Sequence, residues 1–145
     1  MSNLRELYLE MVTDHAKRPR NKGKVDPCDH TGHGYNPLCG DVVMITLNLD
    51  GETIKDLKFD GEGCAISTAS ADLMADAVKG KTIEDARLLF RGFHALVAGD
   101  GFDGDLGKLI VFEGVREFPM RVKCATLAWH TLIAALDDST EVTTE

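Results

Sequence analysis

The sequence predicts an α+β domain in which a small antiparallel sheet packs against helices. Two stretches of alternating apolar residues flank Asp50-Gly51, a dipeptide typical of a tight β-hairpin turn. Helical periodicity precedes this pair of strands and dominates after it. The chain has 145 residues and no internal repeat, which favours one domain over residues 1–145. Strands that are grouped together, with helices grouped after them, are typical of the α+β class.

The first half of the chain is predicted to hold one helix and the hairpin. The elements are, in order, a helix from Asn3 to the helix-stopping Pro19, a loop over residues 20–41 with room for a short edge strand around Thr31, and strands over residues 42–49 and 53–60. The loop is predicted from its many Gly, Pro, Asp and His residues. The strands alternate apolar residues with polar or smaller ones, so one face of the hairpin is expected to be buried.

The second half is predicted to be helical. The elements are a helix from Ala65 to Lys79, a helix opened by Thr82 and running to Ala98, a loop over residues 100–107, a short helix over 107–114, and a last helix from Arg121 to Leu136. The acidic tail from about residue 137, which includes "DDSTEVTTE", is expected to be disordered.

Charge narrows the classes of partner. The 24 acidic and 16 basic residues give a formal net charge of -8, which disfavours nucleic acid and anionic membranes and suits a basic protein partner. No apolar run approaches the length of a membrane span, and the start "MSNLRELYLE" is too charged for a secretory signal. We therefore expect a cytoplasmic protein.

The four cysteines carry the main chemical signal: Cys28, Cys39, Cys64 and Cys124. Disulfides are rare in the cytoplasm, so four cysteines there indicate metal or sulfur chemistry. The alternative is that they are reduced cysteines packed in the core.

Three of these cysteines are expected to converge. Cys39 lies in the turn "NPLCGD" before the first predicted strand, and Cys64 ends the second strand, so the hairpin makes them neighbours. Cys64 and Cys124 are both expected in the first turn of a helix, where unpaired N–H groups favour thiolates. With Asp41 they supply three sulfurs and one oxygen, a tetrahedral set for zinc; three thiolates also suit Fe(II) or Cu(I). Asp41 has a second reading, in which it only braces the turn.

Cys28 lies in "CDHTGH", where His30 and His33 follow at short spacing. Such a run is compatible with a second metal site. A fourth ligand is not evident in the sequence, so we interpret these residues as surface or edge-strand positions.

Four longer stretches resemble the scaffold-type iron–sulfur assembly family: "LYLEMVTDHAKRPRNKG", "NPLCGD", "FDGEGCAISTASADLMADAVKGK" and "RVKCATLAWHTL". The resemblance covers about residues 7–133 and is strongest to the SufU branch, which is similar to IscU and to the NifU N-terminal domain. It implies an IscU-like fold of the SufE/NifU type, with the metal site at one exposed end. Three separated cysteine contexts match in order, so the motifs are specific.

The resemblance also implies a ligand set and a partner. Cys39, Asp41, Cys64 and Cys124 match the zinc positions of SufU-like proteins, Cys39 matches the sulfur acceptor, and Arg121 matches a basic residue near the site. The implied partner is a PLP-dependent, SufS-like cysteine desulfurase, and the sulfur then passes to the iron–sulfur assembly machinery. The implied activity is that of a zinc-dependent sulfurtransferase.

Two departures separate this chain from IscU-like scaffolds. Lys123 stands where those scaffolds carry a histidine before the last cysteine, and "EFPMRVK" replaces their "LPPVK"-type segment. These differences favour sulfur transfer, although a scaffold that binds Fe and sulfide and a structural zinc domain that only docks onto a partner stay open as alternatives.

Overall fold

A four-stranded sheet with helices packed against it forms the fold, and it confirms the predicted α+β class. This computed structural model describes residues 3–99, 104–137 and 141–143. The elements are α1 (Asn3–Lys17), β1 (His30–Asn36), β2 (Asp41–Asp50), β3 (Thr53–Glu62), α2 (Ala65–Val78), α3 (Ile83–Ala98), a 3₁₀ helix (Gly107–Glu117), α4 (Pro119–Leu136) and β4 (Glu141–Thr143). The strand order is β3-β2-β1-β4; β1, β2 and β3 are antiparallel, and β4 runs parallel to β1.

The predicted hairpin is confirmed. The strands β2 and β3 pair across a turn in which Gly51 has a φ of +63°, a conformation that favours glycine. Their inward residues join the core, in which Trp129 stacks on Phe93 at 5.1 Å between ring centroids. The helix α4 packs on β1 and β2, while α2 packs on β3 and on α1. The chain therefore holds α2 and α4 side by side on the sheet.

The strand β1 is longer than the short edge strand expected inside the predicted loop. It pairs with β2 over seven residues, from His30 opposite Leu47 to Asn36 opposite Asp41. Its two glycines suggest a loop, but they serve close packing. A Cβ on Gly32 would lie 2.6 Å from the backbone oxygen of Thr131 in α4. The glycines therefore allow α4 to approach the sheet closely.

Replacing Gly32 with alanine should destabilise the fold by about 2 kcal/mol, because α4 must move away from β1 to admit the methyl group. Urea unfolding measures the change. Gly114→Ala is the matched control, because a Cβ there meets nothing within 4 Å. Equal stability of the two variants would contradict close packing of α4 on β1.

Two helical boundaries differ clearly from the predictions. The short helix predicted over 107–114 is a 3₁₀ helix that continues to Glu117. The last helix begins at Pro119 rather than Arg121, since proline is well suited to the first helical position, where its missing N–H has no intrahelical partner anyway. Within the predicted loop 100–107, residues 100–103 lie outside the described residues.

The tail expected to be disordered contains the strand β4. Val142 lies opposite Gly34 on the outer edge of β1, whose backbone groups offer hydrogen bonds to a further strand. The prediction of disorder is therefore wrong for residues 141–143, and residues 138–140 and 144–145 of the tail lie outside the described residues. Among the helices that the structure describes, none has both the length and the apolar character needed to cross a bilayer.

A buried polar network fastens the segment after α1 to α2. Asp72, fully buried in α2, contacts the ring of His15 and accepts hydrogen bonds from the backbone N–H groups of Arg20 and Asn21. The side chain of Asn21 also donates to the Asp72 carboxylate and contacts Lys79. Both oxygens of the carboxylate are thus used by the protein, and His15 acts here as a structural residue.

Candidate metal centre

The turn that joins β1 to β2 carries Cys39. The N–H of Gly40 donates to the backbone oxygen of Asn36 at 2.8 Å, and Gly40 has a φ of +74°. The N–H of Leu38 donates to the Asn36 side-chain oxygen at 3.2 Å. Cys39 is exposed at the tip. It therefore lies between two strands, and not before the first strand of the sheet as the sequence suggested.

Asp41 and Cys64 meet where β2 begins and β3 ends. Asp41 is 1% exposed, and its Oδ1 accepts the backbone N–H of Cys64 at 2.9 Å. The second oxygen, Oδ2, lies 3.9 Å from the Cys64 Sγ. Cys64 is the N-cap of α2, and its sulfur accepts the N–H of Ser67 at 3.4 Å. The hairpin thus sets a carboxylate and a thiol side by side.

Cys124 lies on α4, which packs on the sheet, and its side chain lies at the same site as Cys39. It is the sixth residue of α4 and is 4% exposed, and its Sγ lies 3.3 Å from that of Cys39. Because α4 begins at Pro119, Cys124 lies in the second turn, so the prediction of a first-turn position is wrong. The unpaired N–H groups of the helix end therefore do not act on its sulfur.

Three of the four predicted ligands converge at one end of the sheet, and the fourth, Cys64, lies beside them. One ligand atom from each of Cys39, Asp41 and Cys124 lies within 4.8 Å of the others, and Cys64 adjoins this group through Asp41. By contrast, Cys28 is exposed and contacts Thr31 at 3.3 Å between Sγ and Oγ1. Within residues 3–99, 104–137 and 141–143, the "CDHTGH" run forms no group of three convergent ligands.

Arg121 lies one turn before Cys124 on α4. Its side chain is exposed, and its guanidinium carbon lies 4.3 Å from the ring centroid of Phe118. Burial raises the pKa of the nearby Tyr8; Arg121 opposes this shift, whereas Cys64 and Cys124 add to it. Arg121 and Tyr8 thus share the electrostatic environment of the cysteines. The sequence analysis did not select Tyr8, because it reads there as one more residue of the apolar stripe of α1.

Asn36 is the second residue near the site that the sequence analysis did not select. Its side chain is fully buried, with Nδ2 3.9 Å from the sulfur of Cys124. The only signal in the sequence is its place before Pro37 in "NPLCGD", which predicts a turn and no more.

The thiols of Cys64 and Cys124 differ in pKa. A hydrogen bond from Cys124 lowers the pKa of Cys64 to about 6, and the N–H groups of Ser67 and Ile66 act in the same direction, against burial and Asp41. The pKa of Cys124 is raised well above its usual range, first by the contact with Cys64 and then by burial. The expectation of an acidic thiol is therefore confirmed for Cys64 and wrong for Cys124 in the metal-free arrangement.

Cys64 should be alkylated by iodoacetamide in the metal-free protein with a half-maximal rate near pH 6, because the thiolate is the nucleophile. Cys124 should stay unmodified in the native protein through pH 8, since it is buried and protonated. Mass spectrometry of each cysteine between pH 5 and 9 measures both, with the exposed Cys28 as the reference site. Alkylation of Cys64 only above pH 8 would contradict the arrangement.

The donor set fits zinc. Zinc–sulfur bonds of about 2.3 Å and zinc–oxygen bonds of about 2.1 Å place two tetrahedral sulfur ligands about 3.8 Å apart, and a sulfur and an oxygen ligand about 3.6 Å apart. The Sγ atoms of Cys39 and Cys124 are 3.3 Å apart, and the Sγ of Cys64 lies 3.9 Å from the Oδ2 of Asp41, so both distances are close to those values. The proton of Cys124 has three acceptors around it, on Cys39, Asp41 and Cys64. A cation at this point would satisfy all four groups at once.

Comparison with known proteins identifies the family. Residues 7–144 match the family described as NifU-like N terminal domain. The chain belongs to the NifU-like N terminal domain family. This membership confirms the resemblance found in the sequence, and it extends over nearly the whole chain.

Several relatives in the NifU-like N terminal domain family are similar over most of their length. The chain is 44% identical over 133 residues to the zinc-dependent sulfurtransferase SufU of Bacillus subtilis, covering 90% of each chain. It is 42% identical over 141 residues to the iron–sulfur cluster assembly scaffold protein IscU of Streptococcus pyogenes, covering 96% of this chain and 88% of the relative. A crystal structure of SufU from Fervidobacterium islandicum, described as a scaffold protein for the SUF system, superposes with a TM-score of 0.86 at 38% identity, covering 90% of this chain and 97% of the other.

Proposed function

We propose that this protein is a zinc-dependent sulfur acceptor for iron–sulfur cluster assembly. In this proposal it takes sulfur from the persulfide of a PLP-dependent, SufS-like cysteine desulfurase in the cytoplasm and relays it to the assembly machinery. The observation that carries the proposal is the pairing of an exposed cysteine on a turn with fixed ligands behind it. Cys39 is exposed at the tip, whereas Asp41 and Cys124 are buried on a strand and a helix. The similarity to the zinc-dependent sulfurtransferase SufU of Bacillus subtilis supports the same activity.

The proposed metal ligands are Cys39, Asp41, Cys64 and Cys124. Zinc, when bound, keeps its thiolate ligands deprotonated at neutral pH. The protein holds these ligands ready: the N–H of Cys64 fixes one oxygen of Asp41, and α4 fixes Cys124 against the sheet. The carboxylate is thus oriented before any ion arrives, which reduces the entropic cost of binding.

Cys39 is the proposed catalytic residue. Its thiolate attacks the terminal sulfur of the donor's persulfide, a new S–S bond forms on Cys39, and the donor's S–S bond breaks to release the donor cysteine as a thiolate. No net oxidation occurs, because one persulfide is consumed and one is formed. The exposed turn allows Cys39 to reach into a partner's site, whereas Cys124 is too deeply buried to do so.

A second candidate function is an iron–sulfur scaffold, in which the same residues hold Fe and sulfide. The observation that favours it is the name of the 42% identical Streptococcus pyogenes relative. A docking domain with a purely structural zinc ion is a third reading. The three functions predict different behaviour of Cys39, since only a transferase requires Cys39 to accept sulfur.

Metal analysis and transfer assays test the proposal together. The protein is purified anaerobically, its zinc, iron and sulfide are measured, and a SufS-like desulfurase is assayed with cysteine in its presence and absence. We expect about one zinc ion per chain, stimulated desulfurase turnover, and one added sulfur on Cys39 by mass spectrometry. Bound iron and sulfide without transfer would favour the scaffold, and zinc without transfer the docking domain.

Replacing Arg121 with alanine should leave the zinc content unchanged and lower desulfurase stimulation by about tenfold, since this exposed cation lies one turn from Cys124 on α4 and is suited to meet a partner's carboxylates. Steady-state turnover at varied protein concentration measures the loss. Arg87→Ala is the matched control, because Arg87 pairs with Asp137 beyond the far end of α4, at 2.6 Å. Equal stimulation by both variants would show that Arg121 is only a surface residue.

A further inference from the structure

Asn36 touches three parts of the candidate metal centre. It ends β1 directly opposite Asp41, the first residue of β2. Its backbone oxygen and its side-chain oxygen accept the N–H groups of Gly40 and Leu38, at 2.8 and 3.2 Å, on either side of Cys39. Its side-chain nitrogen points the other way, toward Cys124 on α4. One residue therefore links the turn of the exposed Cys39, the carboxylate of Asp41 and the buried Cys124.

The burial of Asn36 makes these contacts energetically important. The residue is 0% exposed, so water does not satisfy its amide. The two hydrogens of Nδ2 need acceptors inside the protein, and the acceptor that the structure gives them is the Cys124 sulfur, at 3.9 Å. Sulfur is a weak acceptor as a thiol and a much stronger one as a thiolate. A metal-bound thiolate on Cys124 would therefore be the better acceptor for this amide.

The same amide separates the roles of Cys39 and Cys124, whose sulfur atoms are only 3.3 Å apart. A hydrogen bond from a neutral donor spreads the negative charge of a thiolate and makes its sulfur a poorer nucleophile. Asn36 directs such a bond to Cys124, while its own oxygen holds the turn that presents Cys39 to solvent. Contacts of this kind around metal ligands typically alter metal affinity by 10- to 100-fold.

We propose that Asn36 is a positioning residue of the metal centre, which holds Cys124 as the fixed ligand and leaves Cys39 as the sulfur that reacts. The proposal rests on the zinc site of the proposed function. It assigns to the asparagine of "NPLCGD" a role beyond the turn, namely the choice between two neighbouring sulfur atoms. The carboxylate of an aspartate in its place would instead repel a thiolate on Cys124.

Two variants separate the contact with sulfur from the turn. In Asn36→Ser the hydroxyl still accepts the N–H of Leu38, as serine does in turns, but it is too short to reach Cys124. Asn36→Asp is nearly isosteric and keeps the same turn bond, but it replaces the donor to sulfur with an anion. Asn48→Ser is the matched control, because Asn48 is also a strand asparagine with two side-chain bonds, to Asp29 and Pro27 at 2.7 and 2.9 Å, at the other end of β2.

The measurements are zinc affinity by competition with a chromophoric chelator and the absorption of the cobalt(II) form, whose thiolate charge-transfer bands report the sulfur ligands directly. We expect Asn36→Ser to weaken zinc binding about tenfold and Asn36→Asp by more than tenfold, with shifted cobalt bands in both. Asn48→Ser should keep the wild-type affinity and spectrum even where its melting temperature falls. Among the four proposed ligands, brief alkylation of the zinc-loaded proteins should modify Cys39 alone in the wild type and Cys124 as well in the Asn36 variants; the exposed Cys28 should react equally in all of them.

Wild-type zinc affinity and cobalt spectra in both Asn36 variants would overturn the inference while leaving the zinc site intact. Equal losses in Asn48→Ser would overturn it as well, since the effect would then come from general destabilisation. A wild-type protein that binds neither zinc nor cobalt would instead remove the proposed function, and the role of Asn36 with it.

Discussion

Cys39→Ser should reduce persulfide formation on this protein to background while most of the protein still binds zinc. Serine keeps the size of the side chain and the bonds that close the turn, which run through Asn36, Leu38 and Gly40. Two thiols and Asp41 remain on a helix, a helix cap and a strand. The lost ligand is the one on the turn, so the remaining three keep their positions. We expect a fall in transfer of at least a hundredfold and a fall in zinc affinity of about tenfold.

The measurement is mass spectrometry of each cysteine after incubation with desulfurase and cysteine, together with zinc content. Cys28→Ser is the matched control, since Cys28 is exposed and lies outside the convergent group. Cys124→Ser should lose zinc first and transfer as a consequence, because it removes a buried ligand on α4. Added sulfur on Cys64 or Cys124 in a zinc-loaded Cys39→Ser protein would refute the assignment of Cys39 as the acceptor.

The sequence predicts the elements that carry a clear apolar period. The strands β2 and β3 alternate, and Asp50-Gly51 marks their turn, so the hairpin that brings Asp41 beside Cys64 follows from local pattern alone. The helices α2 and α3 follow in the same way, and the predicted cap Thr82 accepts the N–H of Asp85 at 3.1 Å. In these cases local preference and tertiary packing favour the same structure.

The sequence fails where a residue serves a contact that is distant in the chain. Gly32 suggests a loop in the sequence. In the structure this position lacks a side chain because the backbone of Thr131, 99 positions later, packs directly against it. The predicted start of α4 at Arg121 lies two residues after the observed start at Pro119, and this difference moves Cys124 from the first turn to the second. The role of Asn36 needs the position of α4 relative to β1, which no local pattern contains.

Topology predicts the convergence of the cysteines, and the low pKa of Cys64 is predicted too, but the raised pKa of Cys124 is not. From the sequence, both Cys64 and Cys124 are predicted at helix starts, with a lowered thiol pKa for each. The structure separates them: Cys64 caps α2, and Cys124 lies in the second turn of α4 with three acceptors around its sulfur. A pair of close thiols shares its protons, so one gains acidity as the other loses it.

Removing zinc with a chelator should lower the melting temperature by about 10 °C and abolish sulfur acceptance in the same titration. A ligand present at about a thousand times its Kd stabilises the folded state by about 4 kcal/mol, and each kcal/mol corresponds to about 3 °C in a chain of this size. The proposed ligands come from the β1–β2 turn, β2, the start of α2 and α4, so one ion would join segments that are far apart in the chain.

Calorimetry and desulfurase stimulation are measured as chelator is added and zinc is restored. The control is Cys124→Ser, which should melt near the temperature of the chelated wild type and respond little to chelator, because it has lost its ion already. An unchanged melting temperature with full activity in the chelated wild type would show that zinc contributes neither to the stability nor to the chemistry of this protein.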